Sequence, residues 1–140
     1  MELVPLTENT LLGDPTMTGD WAAALLRVAA EPPPPPWCAY LAKRNGRAVG
    51  VGLFKGPPDD RDWSEIAYLT FLPHVGRGVA SEVARELVRI ARKRGANGVR
   101  AHTLREANAS TRVLQKLGFL FSGEIADSDD GKVWRWELEL

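Results

Sequence analysis

Val75-Gly76-Arg77-Gly78-Val79-Ala80 forms a glycine-rich turn between a strand-like run and a helix-like run. The first N–H groups of a helix have no acceptor within the helix, and a glycine turn lets them point together at one anion. The turn therefore predicts a strand, a phosphate or pyrophosphate cradle and a helix, in that order. Alone this signal is weak, because two glycines before a helix often only bend the chain.

The residues after the turn have the pattern of an amphipathic helix over 79–94, ended by Gly95. Basic residues fill its last turns, where cations suit the negative end of the helix dipole, so we interpret them as a solvated face rather than a nucleic-acid patch. The small and apolar residues expected on the inner face are Val79, Ala80, Val83, Ala84, Leu87, Val88 and Ala91.

The rest of the chain alternates strand-like and helix-like runs. Asn45-Gly46 between two apolar runs predicts a β-hairpin. Gly50 and Gly52 share a face of its second strand, so another element or a ligand is expected close to them. The predicted elements are a helix over 22–30 capped near Thr18 or Asp20, hairpin strands over 37–44 and 47–55, a strand over 63–72 closed by Pro73, a strand over 99–104, a helix over 108–117, and a closing hairpin over 119–125 and 132–140. This order predicts an α+β domain with a mixed sheet.

The composition is that of one ordinary globular domain of 140 residues, spanning 1–140. Lys+Arg and Asp+Glu both total 18, and this zero net charge argues against a dedicated nucleic-acid-binding protein. Cys38 is the only cysteine, so an intrachain disulfide is excluded and a buried core position is expected. The sequence shows neither a signal-peptide pattern nor an apolar run near the ~20 residues of a membrane span, so a cytoplasmic protein without membrane contact is expected.

Two motifs occur in order, about thirty residues apart. The first is Glu65-Ile66-Ala67-Tyr68 followed by Pro73 to Val83, and the second is His102-Thr103-Leu104 followed by Asn108 to Phe119. Together they resemble the GNAT superfamily of acyl-CoA-dependent N-acyltransferases, and most closely its RimJ/RimL-type branch, which includes ribosomal-protein N-terminal acetyltransferases. The resemblance covers roughly residues 37–140, with 1–36 a poorly matched N-terminal region. It implies a mixed, mostly antiparallel central sheet flanked by helices.

The resemblance implies acetyl-CoA as a co-substrate and no metal. The family's Arg/Gln-x-x-Gly-x-Gly/Ala loop maps to Val75, Gly78 and Ala80, and valine departs from the pattern at the first position. Main-chain N–H groups would hold the pyrophosphate, and the main-chain N–H near Leu72 would stabilise the reaction's oxyanion. Asn108 would contact the cofactor from one residue beyond the family's asparagine. The residues implied for the pyrophosphate are Val75, Gly76, Arg77, Gly78, Val79, Ala80 and Ser81.

Acetyl transfer to an amine requires a neutral nitrogen, a stabilised oxyanion and a protonated leaving thiol. Many relatives protonate the thiolate with a tyrosine, but that position is Leu114 in this chain. In the RimL-like pattern a serine has this role, and Ser110 matches it. The alternative role for Ser110 is a helix N-cap, which is common for serine near a helix start.

Glu65 is the candidate general base. It shares a strand face with Ala67 and Leu69, and relatives often place a catalytic carboxylate on this strand. A carboxylate on an otherwise apolar face is desolvated and therefore a stronger base. The alternative for Glu65 is a surface salt bridge at a strand end.

Other polar and aromatic residues leave alternatives open. His102 is either a second base or a structural histidine, and Asp127, Asp129 and Asp130 either reach the acceptor or form a solvated turn. Trp134 and Trp136 share a face of the last strand. On that face they either belong to the hydrophobic core, form the interface of a homodimer, or line one wall of the acceptor pocket.

The acceptor implied is a primary amine, on a protein N-terminus or on a small molecule. Two alternatives are an acyl-CoA-binding module without turnover, indicated by Val75, the shifted asparagine and the absent tyrosine, and transfer of a longer acyl group. Cys38 lies outside both motifs, which favours direct transfer over a covalent enzyme intermediate.

Overall fold

The computed structural model describes residues 1–7, 34–127 and 131–140, and these form one seven-stranded sheet with two helices. The strand order is β1-β2-β3-β4-β5-β7-β6, and only β4 and β5 pair in parallel. The α+β class with a mixed, mostly antiparallel sheet is therefore confirmed. The strands are β1 Glu2–Pro5, β2 Ala39–Arg44, β3 Arg47–Phe54, β4 Trp63–Thr70, β5 Gly98–Thr103, β6 Leu120–Asp127 and β7 Gly131–Glu139; the helices are α1 Val79–Lys93 and α2 Ala109–Lys116.

Some predicted boundaries were wrong. The strand predicted over 63–72 ends at Thr70, because Leu72–His74 turns into a short 3-10 helix that contains Pro73. The edge strand β1 was not predicted at all, and it pairs with β2 from Glu2 to Pro5. The predicted helix over 22–30, with Thr18 and Asp20, and the turn residues 128–130 lie outside the described residues.

Helix α1 packs its apolar face on the sheet as its periodicity predicts. Val79, Val83, Ala84, Leu87, Val88 and Ala91 are buried, whereas Ala80, also expected inside, is half-exposed. A Cβ at Gly52 would lie 2.5 Å from Val83 Cγ1, so the expected close approach at this glycine is made by the helix. At Gly50 a Cβ would lie 2.4 Å from the Leu69 carbonyl oxygen, and there the neighbour is β4.

The largest buried cluster lies between α1, α2 and one face of the sheet, and it includes Cys38 as expected. Burial raises the pKa of the Cys38 thiol, so the group stays protonated and is a poor nucleophile. Trp136 is 4% exposed in this cluster and donates from Nε1 to Thr103 Oγ1 at 3.0 Å. The core position expected for this tryptophan is confirmed, and Phe121 packs edge-on against it.

A second buried cluster covers the opposite face of β2 and β3, around Leu6, Leu41 and Val51. On that face Trp63 lies directly over Gly98, where an added Cβ would be 2.4 Å from Trp63 Cε2. No helix among the described residues is long and apolar enough to cross a membrane.

Candidate active site

The sheet opens between its two central strands. The parallel pairing of β4 with β5 runs only from Trp63 and Gly98 to Ile66 and Ala101. Beyond that point β4 stays paired with β3 up to Thr70, and β5 stays paired with β7 up to Thr103. Residues 67–70 of β4 therefore present backbone groups toward a gap, which we name the β4–β5 opening. An extended ligand can bond to such a free strand edge.

The glycine loop, residues 75–80, lies where β4 ends and α1 begins. Gly76 and Gly78 have φ values of 83° and 76°, in the left-handed region that glycine adopts without strain. Gly78 is the N-cap of α1, and no side chain caps the helix there. A Cβ at either glycine would meet nothing within 4 Å. The first N–H groups of α1 have no side-chain cap and no backbone acceptor among the described residues, so they can receive an anion.

The two valine side chains of the loop contribute no hydrogen bond to this cradle. Val75 is 60% exposed and apolar, so it offers no hydrogen bond where the family pattern has arginine or glutamine. Val79 is buried in the core, and it can contribute only its backbone N–H. At these two positions, main-chain groups are therefore the groups that could contact an anion.

The segment before the loop holds a free backbone donor. Phe71 N donates to Val49 O at 3.0 Å, which pins the end of β4 to β3. Val75 N donates to Leu72 O at 3.3 Å, which closes the short 3-10 turn. Among the described residues the Leu72 N–H has no acceptor, so this donor is available at the end of the opening.

Ser110 lies on α2 and faces β4 across the opening. Its hydroxyl is 3.1 Å from the Tyr68 hydroxyl, so a hydrogen bond joins β4 to α2. Burial raises the pKa of Tyr68, against a smaller lowering by the Ser110 hydrogen bond, so the phenol is protonated at neutral pH. Two hydroxyl groups that can donate protons therefore meet on the helix-covered face of the sheet.

Asn108, not Ser110, is the N-cap of α2. Its Oδ1 accepts from Thr111 N at 3.0 Å, and Thr111 Oγ1 accepts from Asn108 N at 2.9 Å. This reciprocal capping box occupies the side-chain oxygen of Asn108. The capping alternative for Ser110 was wrong, and its hydroxyl is left for the contact with Tyr68.

Glu65 lies on the opposite face of the sheet, and its surroundings are charged rather than apolar. Its Oε2 is 2.9 Å from Lys55 Nζ and 3.3 Å from His102 Nδ1. The Glu65 side chain is 20% exposed. The apolar face expected around this carboxylate was wrong, because the facing strands supply polar residues. The contact with Lys55 is an ion pair, whereas the contact with His102 joins a carboxylate to an imidazole. Oε2 accepts no aligned hydrogen bond within the described parts of the chain.

His102 is a neutral link between Glu65 and Arg135. Burial lowers the pKa of His102, and the effect outweighs the opposite influence of the Glu65 charge; Arg135 and Lys55 lower it further. Arg135 Nε donates to His102 Nε2 at 3.4 Å, which places the ring proton on Nδ1, toward Glu65. His102 follows directly after the last parallel pair of residues. The set of side chains formed by Glu65, His102 and Arg135 therefore lies at the mouth of the β4–β5 opening.

Tyr68 is the site residue that the sequence reasoning missed. It shares a face with Ile66, which packs in the core beneath the helices. A tyrosine on such a face needs a partner for its hydroxyl. The alternation of β4 residues, which puts Tyr68 on the same face as Ile66, was a usable signal in the sequence. The partner of the Tyr68 hydroxyl could not be predicted, because it depends on how α2 lies across the sheet.

Comparisons with known proteins agree with this architecture. A family model described as an acetyltransferase (GNAT) domain matches residues 10–120. A comparison with curated protein sequences gives no match.

Solved structures share the fold at low sequence identity. A spermidine N-acetyltransferase SpeG chimera from Vibrio cholerae and hSSAT has a TM-score of 0.79 at 11% identity, covering 99% of this chain and 96% of that chain. The ribosomal-protein-alanine N-acetyltransferase of Brucella melitensis has a TM-score of 0.71 at 19% identity, covering 100% of both. The structure of yncA from Salmonella typhimurium with its cofactor acetyl-CoA has a TM-score of 0.62 at 21% identity.

The match to yncA covers 73% of this chain and 64% of that one, so the chain spans slightly less than two thirds of that relative. At these identities the structural likeness shows the fold alone. The family model, in contrast, covers most of the chain and includes the first motif, the glycine loop and α2. The chain therefore belongs to the acetyltransferase (GNAT) family of acyl-CoA-dependent N-acyltransferases.

Proposed function

We propose that this protein transfers an acetyl group from acetyl-CoA directly to a primary amine, in the manner of the RimJ/RimL-type branch and in the cytoplasm. The observation that supports the proposal is the Tyr68–Ser110 hydrogen bond beside the β4–β5 opening, because either hydroxyl could serve as the proton donor that the reaction needs. Glu65 lies on the opposite face of the sheet, against His102 at the mouth of this gap. A base and an acid thus approach one opening from opposite sides.

Acetyl-CoA would be held by backbone groups. The first N–H groups of α1, at Val79, Ala80 and Ser81, would bind the pyrophosphate, and Gly76 and Gly78 allow its close approach. Arg77 would add a positive charge beside it. The free edge of β4 would bond to the extended arm of the coenzyme. Asn108 would contribute through its side-chain nitrogen, since its oxygen caps α2.

The reaction needs four groups of this chain. The amine nitrogen attacks the thioester carbon, forming the C–N bond, while Glu65 accepts the nitrogen's proton directly or through water. The Leu72 N–H stabilises the oxyanion. As the C–S bond breaks, Ser110 donates its hydroxyl proton to the thiolate, and Tyr68 passes its own proton to Ser110. Water then returns a proton to Tyr68, while Glu65 releases to water the proton that it took from the amine. Cys38 takes no part, because its thiol is buried in the core.

The acceptor class is a protein N-terminus or a small-molecule amine. At pH 7.5 about a third of an α-amine is neutral, against about 0.1% of a lysine-type amine. A lysine-type acceptor therefore depends far more on Glu65. Both classes have a precedent in the names of fold relatives, one a ribosomal-protein-alanine N-acetyltransferase and one a spermidine N-acetyltransferase.

Calorimetric titration with acetyl-CoA, followed by a thiol-release assay on N-terminal peptides and small amines, tests the proposal. We expect binding and acceptor-dependent thiol release. Binding without acceleration by any amine would favour an acyl-CoA-binding module without turnover. Faster thiol release from a longer acyl-CoA than from acetyl-CoA would favour the second alternative, transfer of a longer acyl group.

Glu65→Gln tests the base. We expect a rate loss that is larger with a lysine-type amine than with an α-amine, because the latter needs less deprotonation. Glu139→Gln is the control, since Glu139 lies at the far end of β7, opposite Gly98. An unchanged rate of Glu65→Gln with lysine-type amines would remove Glu65 as the base.

A further inference from the structure

A basic cleft lies beside the glycine loop, on the β3 side of β4 and away from the β4–β5 opening. It encloses about 320 Å³. None of the described residues that line it carries a carboxylate, although the whole chain is neutral. Its lining residues are Arg44, Asn45, Arg47, Val49, His74 and Arg77.

The β2–β3 hairpin forces two of these arginines together. Asn45 and Gly46 both have positive φ, 54° and 76°, as in a two-residue hairpin turn. The turn places Arg44 and Arg47 directly opposite each other in the strand pairing. Like charges in this position destabilise a sheet. The hairpin therefore carries an electrostatic cost that a bound anion would remove.

Arg44 is already engaged, whereas the other two guanidinium groups are not. Arg44 Nη1 donates to the Arg77 carbonyl at 3.2 Å, and Arg44 Nη2 lies 2.8 Å from Glu82 Oε1 on the first turn of α1. These contacts tie the hairpin to the glycine loop and hold the cleft in shape. Arg47 and Arg77 form no ion pair with the described residues.

We propose that the basic cleft binds a phosphate monoester next to the cradle on α1. Guanidinium groups bind phosphate through paired hydrogen bonds, and Arg47 and Arg77 both line the cleft without an ion pair among the described residues. The phosphate is either the 3′-phosphate of the coenzyme or the phosphate of a separate molecule. The assignment to the 3′-phosphate of the coenzyme rests on the proposed function, whereas the assignment to a separate molecule does not.

The test compares acetyl-CoA with its 3′-dephospho analogue by calorimetry. If the cleft holds the 3′-phosphate, wild type binds acetyl-CoA roughly ten-fold or more tightly than the analogue. In Arg47→Gln that preference falls below about three-fold, while affinity for the analogue is unchanged. Arg92→Gln, which removes an exposed arginine at the far end of α1, retains the preference.

A second arm uses inorganic phosphate in thermal unfolding. If the source is a separate molecule, wild type binds both coenzymes equally, and phosphate raises its melting temperature but not that of Arg47→Gln. Without phosphate, Arg47→Gln melts no lower than wild type, because the cross-strand repulsion is gone.

Equal binding of both coenzymes together with no phosphate-dependent stabilisation would overturn the proposal. Thiol release with amines is measured on the same samples. Acetyl transfer that persists in that case shows that only the cleft assignment failed. Absence of any acetyl-CoA binding, with phosphate stabilisation intact, would instead reject the proposed function and leave the cleft in place.

Discussion

The two helices that flank the β4–β5 opening begin in opposite ways. Helix α1 starts at Gly78 with no side-chain cap, so its first N–H groups stay available to a ligand. Helix α2 starts at Asn108 with a complete capping box, so its first N–H groups are partly satisfied within the chain. The uncapped helix is suited to bind an anion, and the capped one is suited to hold a side chain in place.

This difference assigns anion binding to the start of α1 and side-chain positioning to the start of α2. One helix start could not perform both tasks. An N-cap side chain stabilises a helix but occupies the groups that would bind a phosphate. In α2 the cap at Asn108 leaves the Ser110 hydroxyl unused by the helix, and that hydroxyl meets Tyr68. The first turn of the helix thus leaves backbone donors open in α1 and a side-chain hydroxyl open in α2.

Replacement of Ser110 by alanine gives the largest effect expected. Removal of a general acid lowers kcat by about 100-fold or more, while acetyl-CoA affinity stays within about three-fold. Stopped-flow thiol release and calorimetry measure the two quantities. Ser110→Thr, which keeps the hydroxyl, recovers part of the rate. A raised KM with unchanged kcat would show that α2 serves binding instead.

A carboxylate placed at the start of α1 is the next largest test. Gly78→Asp puts a negative charge beside the uncapped N–H groups, and we expect acetyl-CoA affinity to fall roughly 10- to 100-fold. Gly95→Asp is the matched control, because Gly95 has φ 81° and equally open surroundings but lies at the other end of α1. Equal losses in both variants would mean that backbone strain, not the anion site, decides binding.

Loss of the α2 cap has a smaller and different effect. Asn108→Ala is expected to lower the free energy of unfolding by about 1 kcal/mol, because Thr111 N loses its acceptor. Urea unfolding measures the change. Asn108→Asp retains the cap and should retain the stability. An unchanged free energy of unfolding in Asn108→Ala would show that the Asn108 cap does not stabilise α2, and the contrast with the uncapped start of α1 would be lost.

The pH dependence gives the smallest expected effect. Burial raises the pKa of Tyr68, so its phenol stays protonated as pH rises, and the acid form is not lost in the mildly alkaline range. We expect kcat to stay level between about pH 8 and about pH 9.5. A decline in that range that disappears in Tyr68→Phe would contradict the assigned protonation state.

Local patterns predicted the elements that depend on local chemistry. Asn45-Gly46 indicated the hairpin, and both residues take the positive φ values that this turn requires. The spacing of apolar residues located α1 to within one residue at its end. The two glycines of the loop indicated the open helix start. In each case the deciding interactions lie within a few residues along the chain.

The errors concern interactions between distant segments. The neighbours of Glu65 come from the end of β3 and from β5, so no pattern around Glu65 could show that Lys55 and His102 face it. Strand β1 is four residues long and forms only by pairing with β2. The parallel pairing of β4 with β5 ends at Ile66 and Ala101. The point at which the two strands separate depends on contacts between distant segments, so no local sequence pattern predicts it.

The packing of Trp63 on Gly98 has a consequence for how this sequence can vary. An indole fills the space that any side chain at position 98 would need, and an added Cβ would lie 2.4 Å from the ring. In related chains a side chain at this position requires a smaller residue in place of the tryptophan. We expect the two positions to covary, and the pair marks the start of the parallel ladder. An alignment of close homologues can therefore use this pair to locate the central strands.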